Sequence, residues 1–340
     1  MPGAKSTAGE SSFASEQRIA VLVPCFNECV TIARVVADFA AVLPQAQIFV
    51  FDNNSTDDTA TLAAKAGATV HQVALQGKGN VVRRMFADVD ADLYVMVDGD
   101  DTYHAASAAM LVETLLDGRH DMVVAVREAQ HDAAYRSGHA WGNKMLTGFL
   151  SWLFGRNCQD ILSGYRVFSR RFAKSFPVLT AGFDIETELT VHALELKMSV
   201  GEAVTPYKER PAGSFSKLNT YRDGWRILRT MLRLFSAERP LTFFGSIAAG
   251  LSLMSVGLSI PILQTFWETG LVPRFPTAIL ATGLIILAAL SGFAGLILDT
   301  VTRGRRELKM LAYLSQRQAW QRVEPDSLSG FGGRGENRAA

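Results

Sequence analysis

Cysteine is scarce. Cys25, Cys29 and Cys158 are the only three in 340 residues, too few and too odd in number for a disulfide framework. Reduced thiols in a cytosolic setting fit them best. Cys25 and Cys29 have no second Cys/His pair at ligand spacing, which argues against a zinc site. Charge of one sign is also missing. Lys and Arg number 34 and Asp and Glu 33, for a net charge of +1, so no bulk field draws in nucleic acid. No cleavable signal is expected, because the first apolar stretch, residues 19–24, is too short for a signal core and cleavage site. Residues 240–267 and 275–298 lack charge altogether. What is abundant is apolar side chain, 48% of the chain, which excludes wholesale disorder.

The uneven spread of charge divides the chain. Residues 1–17 and 322–340 are small, polar or glycine-rich and are expected to be disordered. Residues 18–219 read as one soluble domain. Within it, β-rich runs at 19–23, 48–51, 69–73, 93–97 and 122–126 alternate with helical stretches near 29–42, 57–67, 79–90 and 104–117. Continuous apolar strands alternating with helices predict an α/β fold with a mostly parallel sheet covered on both faces. Ligands bind such sheets at the carboxyl ends of the strands. That rim would carry residues 24–28, 52–58 and 98–101.

From residue 220 the pattern changes. Arg222, Arg226, Arg229 and Arg233 fall on one side of a helix, and Trp225, Leu228, Leu232 and Phe235 on another. Residues 220–239 therefore read either as an amphipathic helix in the headgroup plane or as an ordinary surface helix of the domain. The apolar runs that follow favour the first. Residues 141–154, rich in aromatics, are a weaker interfacial candidate that core packing explains equally well. The segments 240–267 and 275–298 each exceed the roughly 20 residues needed to cross a bilayer. They read as a transmembrane hairpin spanning 240–300. Arginines before it, and Arg303, Arg305, Arg306 and Lys309 in the basic segment 301–321 after it, place both outer ends on the cytosolic side. The expectation is a multi-pass protein of the cytoplasmic membrane with its catalytic domain in the cytosol.

The chemistry lies in short motifs. Asp98-Gly99-Asp100-Asp101 follows an apolar strand, and two carboxylates one residue apart are hard ligands for Mg²⁺ or Mn²⁺. Acidic turns are common, so the strand before this one adds weight. Asp52, ending the second strand, would accept hydrogen bonds from a nucleobase or ribose, while Thr56 or Asp57 caps the next helix. The loop Pro24-Cys25-Phe26-Asn27-Glu28 offers another polar rim. Gln76-Gly77-Lys78-Gly79-Asn80 opens a helix but has neither the Walker nor the dinucleotide spacing.

Together these fragments resemble glycosyltransferase family 2, with its GT-A fold. The likeness is to the polyprenyl-phosphate glycosyltransferases, the group of dolichol-phosphate-mannose synthase and the bacterial undecaprenyl-phosphate glucosyltransferases. The resemblance runs in order from about residue 19 to 311. It takes in Asp160-x-x-Ser163-Gly164-Tyr165-Arg166, Glu186 in Phe183-Asp184-Ile185-Glu186, and Arg210-x-x-Gly213-Ser214-x-Ser216-Lys217. The Gln-x-x-Arg-Trp motif of processive synthases is lacking. The resemblance implies that Pro24, Asn27, Glu28, Asp52, Lys78 and Asp98 hold the nucleotide. Asp98 and Asp100 would hold the metal and the donor diphosphate. Arg127 would reach the acceptor phosphate, with Arg136, Ser163 and Arg166 nearby, and Arg210, Ser216 and Lys217 would close over the diphosphate. Asp160 would orient the acceptor or take a proton. It further implies inverting transfer of a hexose from a nucleotide-diphosphate sugar, UDP-glucose first and GDP-mannose as the alternative, to a polyprenyl phosphate. Partners would be the membrane, a separate flippase and a second copy of the chain. A catalytically silent nucleotide-sugar scaffold is the reading from another class.

Overall fold

The computed structural model describes residues 17–129, 137–155, 159–178, 185–208 and 220–318. Seven strands form one sheet in the order β3-β2-β1-β4-β6-β5-β7. They are β1 (Ile19–Cys25), β2 (Gln47–Asp52), β3 (Thr69–Gln72), β4 (Leu93–Met96), β5 (Met122–Ala129), β6 (Arg166–Ser169) and β7 (Val200–Tyr207). Strands β1 to β4 are mutually parallel where they pair, and β5 is parallel to β7. The expected mostly parallel α/β sheet is what forms. The exception is β6, antiparallel to both β4 and β5. Its reversed direction makes β5 run the same way as β4, so strands on both sides of it end at one rim.

Alternation along the strands feeds two cores. In β1, Ile19, Val21 and Val23 join the layer under α1 (Ile32–Val42) and α4 (Ser107–Asp117). Ala20 and Leu22 point to the opposite layer, under α3 (Lys78–Asp88), α6 (Arg170–Ser175) and α7 (Ile185–Glu195). Both faces are thus covered, which explains strands without a polar side. The remaining helices are α2 (Thr59–Lys65), α5 (Ser137–Phe154) and α8 (Thr220–Glu238).

Helix α5 meets both readings of its sequence. Leu150 and Leu153 are buried with Met231 of α8, while Trp152 is 62% exposed and its ring lies 5.4 Å from that of Phe235. On α8, Arg229, Leu232 and Arg233 are exposed. Two long helices follow, α9 (Pro240–Thr269) and α10 (Phe275–Leu314), each long and apolar enough to cross a membrane. Only 6% and 22% of their most apolar stretches are buried, unlike a core helix pair of a soluble domain. They pack against each other through Ser255, whose Oγ donates to the Ala281 carbonyl at 2.7 Å, and Ser291, whose Oγ donates to the Phe244 carbonyl at 3.0 Å. Gly295 sits where a Cβ would come within 3.1 Å of Phe244 Cβ and 3.4 Å of Leu241 Cα. Small residues let such helices approach. Gly270, in the left-handed region at φ 70°, ends α9. Helix α10 does not stop at the apolar boundary near 298 but continues unbroken through the basic segment to Leu314.

Candidate functional site

The carboxyl ends of β1, β2 and β4 carry loops that hydrogen bonds lace together. The Asn27 side chain accepts from Thr56 N at 2.8 Å, and Glu28 N donates to Thr59 Oγ1 at 2.9 Å. Thr31 Oγ1 donates to the Gly99 carbonyl at 2.6 Å. Asn53 Nδ2 donates to the carbonyls of Val73 and Leu75, and its Oδ1 accepts from Gly77 N at 2.7 Å. Gly77, at φ 123°, turns the chain into α3 in a conformation that side chains resist. The helix therefore starts with Lys78 aimed at the rim. The N-cap position of α2 is Asp58, and Asp57 just before it accepts from Thr59 N at 3.0 Å through its Oδ1.

Four carboxylates converge there. Burial pushes the Cys25 thiol well up, and the nearby charges of Glu28, Asp52, Asp98 and Asp100 add to that shift. Asp52 is buried; its Oδ2 accepts from Ser55 N at 3.3 Å, and its Oδ1 has no hydrogen-bond partner. A buried acceptor left open in this way is costly unless a ligand donor satisfies it. Asp100 is buried and pinned, accepting from Thr102 Oγ1 at 2.6 Å and Thr102 N at 3.2 Å. Asp98 Oδ1 is 2.5 Å from Lys78 Nζ. Gly99 lies so close to Cys25 that a Cβ would come within 2.6 Å of its Sγ.

Among the described residues no three His, Cys, Asp or Glu side chains close into a metal cage. Two carboxylates one residue apart, Asp98 and Asp100, suit a divalent cation that draws its other oxygens from substrate and water. Lys78 is held more tightly than a nucleotide ligand needs to be. Its Nζ also lies 2.5 Å from Glu186 Oε1. Burial would lower its pKa, but the charges of Asp98 and Glu186 outweigh that and keep the ammonium protonated. Sequence reading quoted Glu186 within a motif without giving it this partner; its place in the first turn of α7 was the available signal.

A second cluster lies on neighbouring strands. Arg127, near the end of β5, forms a two-point fork with Asp160: Nε to Oδ2 at 2.7 Å and Nη2 to Oδ1 at 2.8 Å. Burial alone would raise the Asp160 carboxyl, but the hydrogen bonds and charge of Arg127 hold it below the usual range. The Arg127 guanidinium also sits 5.4 Å from the Tyr207 ring centroid. Tyr207 and Tyr103 pack edge to face, with centroids 5.3 Å apart. The Tyr103 hydroxyl is pushed up chiefly by burial, with Arg127 lowering it and Asp98 raising it. These tyrosines, which sequence reading missed, line the join between the two clusters.

Ser163 and Arg166 depart from the role that the resemblance implied. Both are fully buried. Arg166 Nε donates to the Ser163 carbonyl at 2.9 Å, and Nη1 donates to Thr190 Oγ1 at 2.9 Å. Arg166 opens the central strand β6, so its side chain points into the core and braces the turn that carries Asp160. Gly164 in that turn donates its N–H to Tyr103 Oη at 2.8 Å, and a Cβ there would lie 2.3 Å from Asp98 Oδ2. Gly164→Ala must therefore displace Asp98. The variant is expected to keep its melting temperature within a few degrees yet lose about tenfold or more in turnover. Wild-type turnover would mean that Asp98 moves without consequence. Arg136, Arg210, Ser216 and Lys217 lie outside the described residues.

The chain is similar to the glycosyltransferase AglJ of Haloferax volcanii, 31% identical over 291 residues covering 85% of this chain and 95% of that protein. A dolichyl-phosphate hexose transferase of the same organism is 26% identical, over 65% of this chain and 95% of its own. Among solved structures, glucosyl-3-phosphoglycerate synthase from Mycobacterium tuberculosis, crystallised with Mn²⁺, UDP-glucose and phosphoglyceric acid, shares the fold. Its TM-score is 0.55 at 21% identity, over 69% of this chain and 85% of that one. The sequence profile of glycosyl transferase family 2 matches residues 20–176, the stretch that carries β1 to β4, the acidic rim and the Arg127–Asp160 fork. With that match and a relative as similar as AglJ over nearly its whole length, the chain belongs to glycosyl transferase family 2.

Proposed function

We propose that this glycosyltransferase moves a hexose from a nucleotide-diphosphate sugar, UDP-glucose first, to a polyprenyl phosphate of undecaprenyl type at the cytosolic face of the cytoplasmic membrane. The observation that carries the reading is the acidic rim at Asp98 and Asp100 joined, through Gly164, Tyr103 and Tyr207, to the Arg127–Asp160 fork, in a chain that also carries two long apolar helices. The relative named as a dolichyl-phosphate hexose transferase supports the acceptor class. The structural relative with UDP-glucose and Mn²⁺ supports the donor and ion.

Two anions must meet here. Asp98 and Asp100 would hold Mg²⁺ or Mn²⁺, which when bound neutralises the departing diphosphate. Asp52 accepts a donor hydrogen from the nucleotide, on the oxygen that is otherwise left open. Asn27 and Glu28, fixed by the laced loops, border the same pocket. Lys78 keeps Asp98 in place. Arg127 offsets the charge of the acceptor phosphate, and the fork sets its direction. A phosphate monoester has its second pKa near ~6, so the acceptor is largely ionised at neutral pH and needs no strong base. Asp160, with its lowered pKa, orients Arg127 and the acceptor rather than removing a proton. The acceptor oxygen bonds to the anomeric carbon as the bond to the diphosphate breaks, and the nucleoside diphosphate leaves with that electron pair. A single displacement inverts the centre.

A screen of UDP- and GDP-sugars with a short-chain polyprenyl phosphate, read by mass spectrometry of the lipid, tests the reading. A sugar-phosphate lipid made from UDP-glucose is the expected product. GDP-mannose as the preferred donor would replace the donor assignment, and nucleotide-sugar binding with no turnover on any acceptor would favour the silent scaffold.

A further inference from the structure

The basic residues after the second apolar helix suggest headgroup contacts, but the structure employs most of them otherwise. Lys309 Nζ lies 2.6 Å from Glu195 Oε2, and Glu195 is wholly buried at the end of α7. Arg306 reaches both Glu195, with Nε 3.4 Å from Oε1, and Glu238 at the end of α8, with Nη2 3.1 Å from Oε2. Arg306 Nη2 also donates to the Glu238 carbonyl at 2.8 Å, and Arg305 Nη2 to the Ala237 carbonyl at 3.3 Å. Further along, Tyr313 Oη donates to Asp121 Oδ2 at 3.0 Å, beside the start of β5. Arg171 of α6 donates from Nε to the Gln316 carbonyl at 2.9 Å, and its guanidinium covers the Tyr313 ring. Met310 and Tyr313 pack on the core layer beneath α3, α6 and α7. Arg303 differs: it is exposed and, among the described residues, pairs along its own helix with Asp299 at 2.8 Å.

The same helix, with no break, is the second apolar span. Buried charges hold only where their partners are fixed, and removing one partner strands the other. We propose that residues 302–314 of α10 are a rigid strut that fixes the height and tilt of the catalytic sheet over the bilayer, with Glu195, Arg306 and Lys309 as positioning residues for transfer. The effect on turnover rests on the lipid-acceptor reading above; the geometry does not. A long-chain acceptor is held by its tail in the bilayer, so its phosphate reaches Arg127 only if the site sits at the right depth. A short-chain acceptor diffuses in and tolerates a loose domain.

The test uses the full chain in lipid nanodiscs, with nitroxide labels at Glu113 on α4 and Thr269 at the end of α9. Cys29 and Cys158 are replaced by serine; Cys25 is buried. Wild type and Arg303→Ala should give one narrow distance distribution. Arg306→Ala/Lys309→Ala should broaden it and lower transfer to long-chain polyprenyl phosphate by about tenfold or more. Transfer to a short-chain phosphate and binding of UDP with Mn²⁺ should stay within about twofold of wild type under the same argument. The swap Glu195→Lys/Lys309→Glu should narrow the distribution again. An unchanged distribution in the double alanine variant overturns the strut. If that variant binds no UDP, the swap decides: a narrow distribution supports the strut and a broad one overturns it. Wild type that transfers to neither acceptor removes the lipid-acceptor reading, while the distances still decide the strut.

Discussion

Asp100→Ala is expected to reduce hexose transfer by about a thousandfold, the loss of roughly 4 kcal/mol of charge stabilisation at a diphosphate leaving group. The side chain is buried and its Oδ1 is already committed to Thr102, so the carboxylate is fixed before any ligand arrives. Asp100→Asn keeps the shape and an acceptor for Thr102 but loses the charge. It should be almost as inactive, which separates the ion-holding role from the loop staple. Melting curves of the asparagine variant should stay close to wild type. EDTA should stop the wild-type reaction, and added Mg²⁺ or Mn²⁺ should restore it. Turnover by Asp100→Asn at the wild-type rate, or indifference to EDTA, would remove the metal from this site.

Arg127→Lys is expected to cost about a hundredfold in turnover with nucleotide binding unchanged, because lysine keeps the charge but not the two-point fork. Arg127→Met goes further. It takes the fork from a buried carboxylate, and losing one partner of such a pair costs about 3–5 kcal/mol of stability. The pH dependence has a definite sign. Asp160 is held below its ordinary value, so its stabilising contribution is present above the unfolded value near ~3.9 and is lost as pH falls through the folded value. Wild type should therefore lose this contribution only in strong acid, and its pH–rate profile should show no limb from Asp160 near neutrality. A limb near neutrality that Asp160→Asn abolishes would make Asp160 a base after all. Equal turnover by Arg127→Lys and wild type would show that charge alone suffices.

Much of this architecture was legible in the residues. Strands β1, β2, β4 and β5 announce themselves as short apolar runs because both faces of the sheet are covered there, whereas the edge strand β3 is mostly polar and half-exposed. The hairpin announces itself because charge is excluded from it. Strand β6 was not legible: by resemblance Arg166 at its start was placed near the acceptor phosphate, and only the carbonyls and the Thr190 hydroxyl around it show that it is a core brace. The acidic residues of the rim were found by their place after strands, a rule of connectivity. Their partners were not found. Nothing along the chain brings Lys78 to Glu186, or Arg127 to Asp160, because those meetings depend on loops that return from distant strands. The basic segment after residue 300 pointed to the side of the hairpin but not to its partners. Its charges suit a headgroup layer by position, yet Glu195 and Glu238 claim them in space.

The reversed strand in the middle of the sheet also partitions the enzyme's inheritance. Connections from β1, β2 and β4 furnish the acidic wall, whereas those from β5, β7 and the start of β6 furnish the guanidinium wall. The two walls are nonetheless coupled, because Gly164 in the turn that carries Asp160 leaves no room for a Cβ beside Asp98, and Lys78 reaches across to Glu186. A lineage that rebuilt one wall would therefore have to refit the other.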